Sequence, residues 1–173
     1  MKLAKYAVAL TLVATSAVVV STALNSAGST SVRPCTGAQL TLSHGAPQGT
    51  AGTTFVPVVI TNHGRTCTIE GVPAVRAVLG SPAHPLGPFA RNLSMGEMPA
   101  LHVLNKGKSV SSALGVVESG NYPPATCLAR DASGVEVTLA RFFTARYLRM
   151  PISVCTKRAS LTTQLIVVGS TGF

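Results

Sequence analysis

The stretch Thr54–Leu79 reads TFVPVVITNHGRTCTIEGVPAVRAVL and decides the fold. It opens with a Val- and Ile-rich run, Thr54–Asn62, and continues through the turn-forming Asn-His-Gly into two shorter apolar runs, Thr66–Ile69 and Pro73–Leu79. β-Branched residues favour strands, and Asn and Gly favour the tight turns that join them. The stretch therefore predicts three consecutive strands and no helix.

Similar runs continue on both sides of this stretch. They predict strands at Ala38–Ser43, Ala100–Leu104, Ser109–Val117, Thr126–Arg130, Val135–Phe143 and Thr162–Val168. The turn residues Asn105–Gly107 predict a hairpin between the second and third of these. The proline-rich stretch Gly80–Pro99 cannot be a central strand, because proline has no N–H to donate to a ladder. An all-β antiparallel sandwich of about seven to eight strands is typical of this spacing.

Four cysteines lie in the predicted domain: Cys35, Cys67, Cys127 and Cys155. An even number of cysteines in an exported chain indicates two disulfides, for which three connectivities are possible. The spacing favours Cys35–Cys67 and Cys127–Cys155, since each pair closes a loop of about thirty residues. A zinc site is the alternative, but the sequence has no Cys-x-x-Cys pair to support it.

The amino terminus has the layout of a secretory signal. Lys2 and Lys5 precede an apolar run, Ala7–Leu24, which ends in small residues with Ala23 and Ala27 as candidate cleavage points. We therefore expect a helical signal peptide at 1–27, a flexible linker at 28–34 and one domain at 35–173. An uncleaved membrane anchor remains the alternative, because the run approaches the ~20 residues that span a bilayer. Either reading predicts an extracytoplasmic location, secreted or attached to the cell envelope.

The charge of the chain is strongly positive. The formal net charge is +9, and it falls to +7 when Lys2 and Lys5 leave with the signal peptide. A basic exported protein is attracted to anionic partners such as lipid head groups, acidic wall polymers or acidic proteins. Its location and the lack of a nucleic-acid-binding motif argue against nucleic acid as a partner. The sequence leaves the oligomeric state open.

The segment Asn62–Val75, NHGRTCTIEGVPAV, resembles the signature of an exported actinobacterial family, domain of unknown function 4232. Cys67-Thr68-Ile69 and Gly71-Val72-Pro73 occupy the family's motif positions, with Val72 in place of the usual aromatic residue. The placement of the four cysteines is also similar, whereas the stretch from Phe142 to Ile152 departs from the family. The resemblance implies an Ig-like sandwich with two disulfides and no known activity or cofactor.

Catalytic patterns are weak throughout the sequence. The nearest approach to a nucleophile elbow is Asn92–Gly96, in which Asn replaces the first Gly around Ser94. The five acidic residues (Glu70, Glu97, Glu118, Asp131 and Glu136) have no recognisable catalytic setting. We therefore expect a binding domain that is not an enzyme.

Two groups of residues are candidate binding sites. The first is a cationic and aromatic patch formed by Arg141, Phe143, Arg146, Tyr147 and Arg149. Arg and aromatic residues dominate binding hot spots, although a strand with solvated Arg side chains would give the same alternation. The second group is Met95, Met98 and His102, whose thioether and imidazole ligands suit copper. A copper-binding protein is therefore the alternative to a domain that binds an unknown protein or an anionic envelope component.

Overall fold

The computed structural model describes residues 31–80, 84–139 and 144–173; the predicted signal peptide lies outside these ranges. No helix among the described residues is long and apolar enough to cross a membrane. The first strands are β1 (Leu40–His44), β2 (Gln48–Thr50), β3 (Thr53–Asn62), β4 (Cys67–Ile69), β5 (Ala74–Leu79), β6 (His84–Leu86) and β7 (Arg91–Asn92). The later elements are β8 (His102–Leu104), β9 (Ser109–Val117), the short helix α1 (Pro124–Cys127), β10 (Ala129–Thr138), β11 (Arg146–Cys155), β12 (Leu161–Thr163) and β13 (Val167–Val168).

The strands form two main sheets and a separate pair. The large sheet has the order β1-β3-β9-β12-β7, with β2 added to β3 and β13 added to β9. The small sheet has the order β11-β10-β5-β6, and β4 pairs with β8. Among the strands that the structure describes, all pairs are antiparallel except β7 with β12. The prediction of an all-β, Ig-like sandwich is confirmed.

A continuous apolar core lies between the two main sheets. Val58 of β3 and Leu114 of β9 pack in one cluster with Val75 of β5 and Val135 of β10, and each of the four is at most 1 % exposed. Full burial of such a side chain stabilises the fold by about 1.5–3 kcal/mol. A second cluster at one end joins Leu40 and other residues of the large sheet to the β4–β8 pair. These clusters fix the two sheets face to face.

Both disulfides have the connectivity that the spacing predicts. Cys35–Cys67 ties the segment before β1 to β4, and Cys127–Cys155 ties α1 to the end of β11. No described cysteine is left free. Two disulfides in one domain fit an oxidising, extracytoplasmic compartment.

The predicted hairpin at Asn105–Gly107 is wrong. Strand β8 pairs with β4, whereas β9 pairs with β3. The turn is held against the end of β3 instead, since the Asn62 N–H donates to the Lys108 carbonyl at 3.0 Å and the Gly107 N–H donates to the Asn62 carbonyl at 2.6 Å. The chain therefore passes from one sheet to another at this turn.

The predicted strand Thr126–Arg130 is also wrong in its first half. The helix α1 begins at Pro124, and Leu128 ends it in a left-handed conformation with φ 46°. Proline is well suited to the first helical position, because its missing N–H would be unpaired there. Strand β10 begins only at Ala129.

Two further strands differ from the prediction. The pattern did not predict β11, which contains Pro151, but proline is tolerated there because β11 is an edge strand. The predicted strand Thr162–Val168 is divided into β12 and β13. The described residues of the stretch Gly80–Pro99 form β6 and β7, each at the edge of a sheet, as prolines in this stretch favour.

Candidate functional site

The edges of the two sheets come together at β1 and β11. Within the described residues, β1 pairs only with β3, and β11 pairs only with β10. Arg146 joins the two edges, because its Nη1 donates to the Leu40 carbonyl at 2.8 Å. We call the side of the sandwich where these two edges meet the flank. Since Leu40 begins β1 and Arg146 begins β11, this contact closes the gap between the two edges at one end of the flank.

An apolar hollow of about 320 Å³ lies further along the same flank. Its walls come from β1, β3 and β11 and from the segment before β2: His44, Pro47, Thr54, Val56, Met150 and Ile152. Val56 and Met150 are only 6 % and 5 % exposed, whereas His44, Pro47 and the neighbouring Pro151 are exposed. The hollow is therefore an opening from the surface to the apolar core, of a kind that receives apolar side chains.

A second hollow of about 340 Å³ shares Thr54 with the first. Its lining is more polar and includes Glu118, Ser119 and Ser153. We call the two hollows, which share Thr54, the flank cleft. Its first hollow suits apolar groups, and its second offers a carboxylate and hydroxyl groups for hydrogen bonds.

The predicted cationic patch is only partly described. Arg141 and Phe143 lie outside the described residues. Arg146 is half-buried and holds the β1 edge, and the Tyr147 hydroxyl donates to the Ser133 carbonyl at 3.0 Å. Arg149 is exposed on β11. Two of the three described members therefore hold the fold together, and Arg149 is the one that points its charge outward.

The copper candidates lie on and beside an exposed loop. Met95 and Met98 are 82 % and 92 % exposed. His102 is half-buried, and its Nε2 lies 3.1 Å from the Ile166 carbonyl oxygen, so only Nδ1 remains for a metal. Across the described ranges, no three His, Cys, Asp or Glu side chains are grouped so that they could hold a metal ion.

Ser94, the candidate nucleophile, has a structural contact. It is 8 % exposed, and its Oγ accepts a hydrogen bond from the Leu165 N–H at 3.2 Å. Its own N–H donates to the Asn92 side chain at 2.8 Å. These bonds anchor the start of the loop that carries Met95 and Met98.

Sequence reasoning missed the flank cleft, because its walls come from distant parts of the chain. Met150 and Ile152 lie in β11, the strand that Pro151 concealed. Their signal was the apolar alternation of Leu148, Met150, Ile152 and Val154 on both sides of that proline. A proline inside such an alternation indicates an edge strand.

One comparison with known proteins identifies a family. The family model described as Domain of unknown function (DUF4232) matches residues 35–169, which is most of the chain and includes all four cysteines. A search of curated proteins gives no match.

Proposed function

For a chain that belongs to the DUF4232 family, we propose a role as an exported, non-enzymatic domain that binds a protein partner at the cell envelope or outside the cell. The signal-like amino terminus and the two disulfides support the location. The observation that carries the proposal is the apolar hollow between β1 and β11, the strands at the edges of the two sheets.

The partner that fits the flank cleft is an extended segment with apolar side chains. A strand edge offers main-chain hydrogen bonds, and a neighbouring hollow takes alternate side chains of the added segment. Met150 and Ile152 form one apolar wall beside the edge strand β11. Glu118 and Ser153 in the second hollow favour a hydrogen-bond donor or a cation on the same segment.

A random peptide library displayed on phage and selected against the exported protein tests this role. The expected binders carry apolar anchors. Thr54→Arg places a long side chain between the two hollows and should weaken their binding by about tenfold or more, as loss of a hot spot does. Thr138→Arg is the matched control, because Thr138 is also a half-buried strand threonine but does not line the cleft.

Two results would contradict the proposal. One is a selection that yields no binders at all. The other is a set of binders whose affinity falls no more with Thr54→Arg than with Thr138→Arg, although the melting temperature of the Thr54→Arg variant shows an intact fold.

A further inference from the structure

Four cations lie together at the end of the sandwich where β3 ends. Arg33, Arg65, Lys106 and Lys108 come from three separate segments, and all four residues are exposed. We call this set the basic end.

Asn62 holds two of these segments in place. It is fully buried, its Nδ2 donates to the Arg65 carbonyl at 2.9 Å, and its N–H donates to the Lys108 carbonyl at 3.0 Å. Arg33 is joined to the same end through its carbonyl, which accepts the Thr68 N–H at 2.9 Å. The nearby disulfide Cys35–Cys67 fixes that segment further. The cations therefore project from a rigid base.

Within the described part of the chain, none of the four cations of the basic end forms an ion pair. The single ion pair there joins Arg76 to Glu136, on β5 and β10 of the small sheet. Glu118 lies just past the far end of β9, about 30 Å from Ser109 at the strand rise of ~3.3 Å per residue. This separation exceeds the ~8 Å Debye length of physiological salt, so Glu118 does not weaken the local field. Glu70 is nearer: it directly follows β4, two residues past Thr68, and therefore offsets part of the charge of Arg33, whereas it lies five residues from Arg65.

Apolar side chains accompany these cations. Val32 is 41 % exposed beside Arg33, and Val103 of β8 is 59 % exposed. Thr68 lies between these two segments, because it pairs with Val103 and forms a bridge with Pro34. Exposed cations beside exposed apolar side chains match the head groups and acyl boundary of an anionic lipid surface.

The basic end and the flank cleft lie apart on the domain. Thr54 of the flank cleft and Asn62 are at opposite ends of β3, about 26 Å apart at the strand rise. A membrane at the basic end therefore leaves the flank cleft accessible.

We propose that the basic end docks the domain on a bilayer that contains anionic phospholipids. Sedimentation of the exported protein with phosphatidylcholine vesicles, with and without phosphatidylglycerol, tests this. Binding is expected only when phosphatidylglycerol is present. The triple substitution Arg65→Gln, Lys106→Gln and Lys108→Gln should weaken it by about a hundredfold, since each basic residue near an anionic surface contributes roughly fivefold.

The matched control changes three exposed cations elsewhere: Arg91→Gln, Arg130→Gln and Lys157→Gln. It removes the same net charge and should change vesicle binding by less than about fivefold, the contribution of one surface cation. If both triple variants lost vesicle binding equally, the net charge of the protein and not the basic end would determine binding, and the proposal would be overturned. Binding to soluble polyphosphate without binding to the vesicles would also overturn it, because the partner would then be a polyanion other than a membrane. The phage selection reports on the flank cleft separately, so the two proposals fail independently.

Discussion

The Nδ2 of Asn62 donates a hydrogen bond of 2.8 Å to the Leu104 carbonyl, forty-two positions along the chain. The bond joins the end of β3 in the large sheet to β8 in the separate strand pair. The Asn62 Oδ1 accepts hydrogen bonds from the Gly64 N–H and from Gln39 Nε2. One buried side chain therefore organises the turns that carry the basic end.

Asn62→Ala should lower the free energy of unfolding by about 2–4 kcal/mol. The Arg65 and Leu104 carbonyls and the Gly64 N–H would lose their hydrogen bonds to the buried Asn62 side chain, and water cannot replace them there. Urea unfolding measures the change. Asn105→Ala is the control, since Asn105 is exposed and, among the described residues, its side chain accepts a hydrogen bond only from the Thr66 hydroxyl, at 3.0 Å. A cost for Asn62→Ala no larger than that of the control would contradict the organising role of Asn62.

Each disulfide should stabilise the domain by a similar amount. The sequence separations are 32 and 28 residues, so the loop entropies that the two bonds remove are nearly equal. Replacing either pair by alanine should cost about 3–4 kcal/mol. Urea unfolding of the two double variants gives these values, and mass spectrometry of unreduced proteolytic fragments gives the pairing. A Cys35–Cys127 fragment would disprove the connectivity.

Gly134→Ala should destabilise the small sheet. A Cβ at this position would meet the Leu148 carbonyl oxygen and would lie 2.8 Å from the Tyr147 ring. Strain of this kind costs about 1–3 kcal/mol, which a lowered melting temperature would show. Gly49→Ala serves as the comparison, because the space around Gly49 is open. Equal melting temperatures for the two variants would mean that the close approach of Tyr147 does not constrain position 134.

Substitutions of Arg146 and Arg149 should have different effects on the free energy of unfolding. Arg146→Gln loses a charge-assisted bond to the Leu40 carbonyl and should cost about 1.5–3 kcal/mol. Arg149 is exposed, and Arg149→Gln should change stability by less than about 0.5 kcal/mol. Chemical denaturation of both variants distinguishes them. An equal loss of stability in the two variants would mean that Arg146 is only a solvated surface charge and that its bond to the Leu40 carbonyl does not stabilise the fold.

The sequence predicted local features well. The run Val56–Ile60 and the cysteine spacing correctly indicated a central strand and two disulfides. The strand pairing at Asn105–Gly107 was missed, because the bonds between Asn62 and residues 104–108 have no local signature. The flank cleft was missed for the same reason, since its walls join β1, β3 and β11.

The methionines of the domain provide the most direct test of the flank cleft. Met150 lines the cleft, whereas Met95 and Met98 lie on the exposed loop that is the copper candidate. Nuclear magnetic resonance of isotope-labelled methionine methyl groups follows all three in one spectrum.

The same sample titrated with Cu(I) under reducing conditions tests the copper alternative, which requires saturable shifts of the Met95 and Met98 methyl resonances.

The decisive titration adds a phage-selected peptide to this labelled protein. We predict a saturable shift of the Met150 methyl resonance, with the Met95 and Met98 resonances unchanged. A Met150 resonance that stays in place at saturating peptide, while the Met95 or Met98 resonance moves, would contradict the assignment of the flank cleft as the binding site.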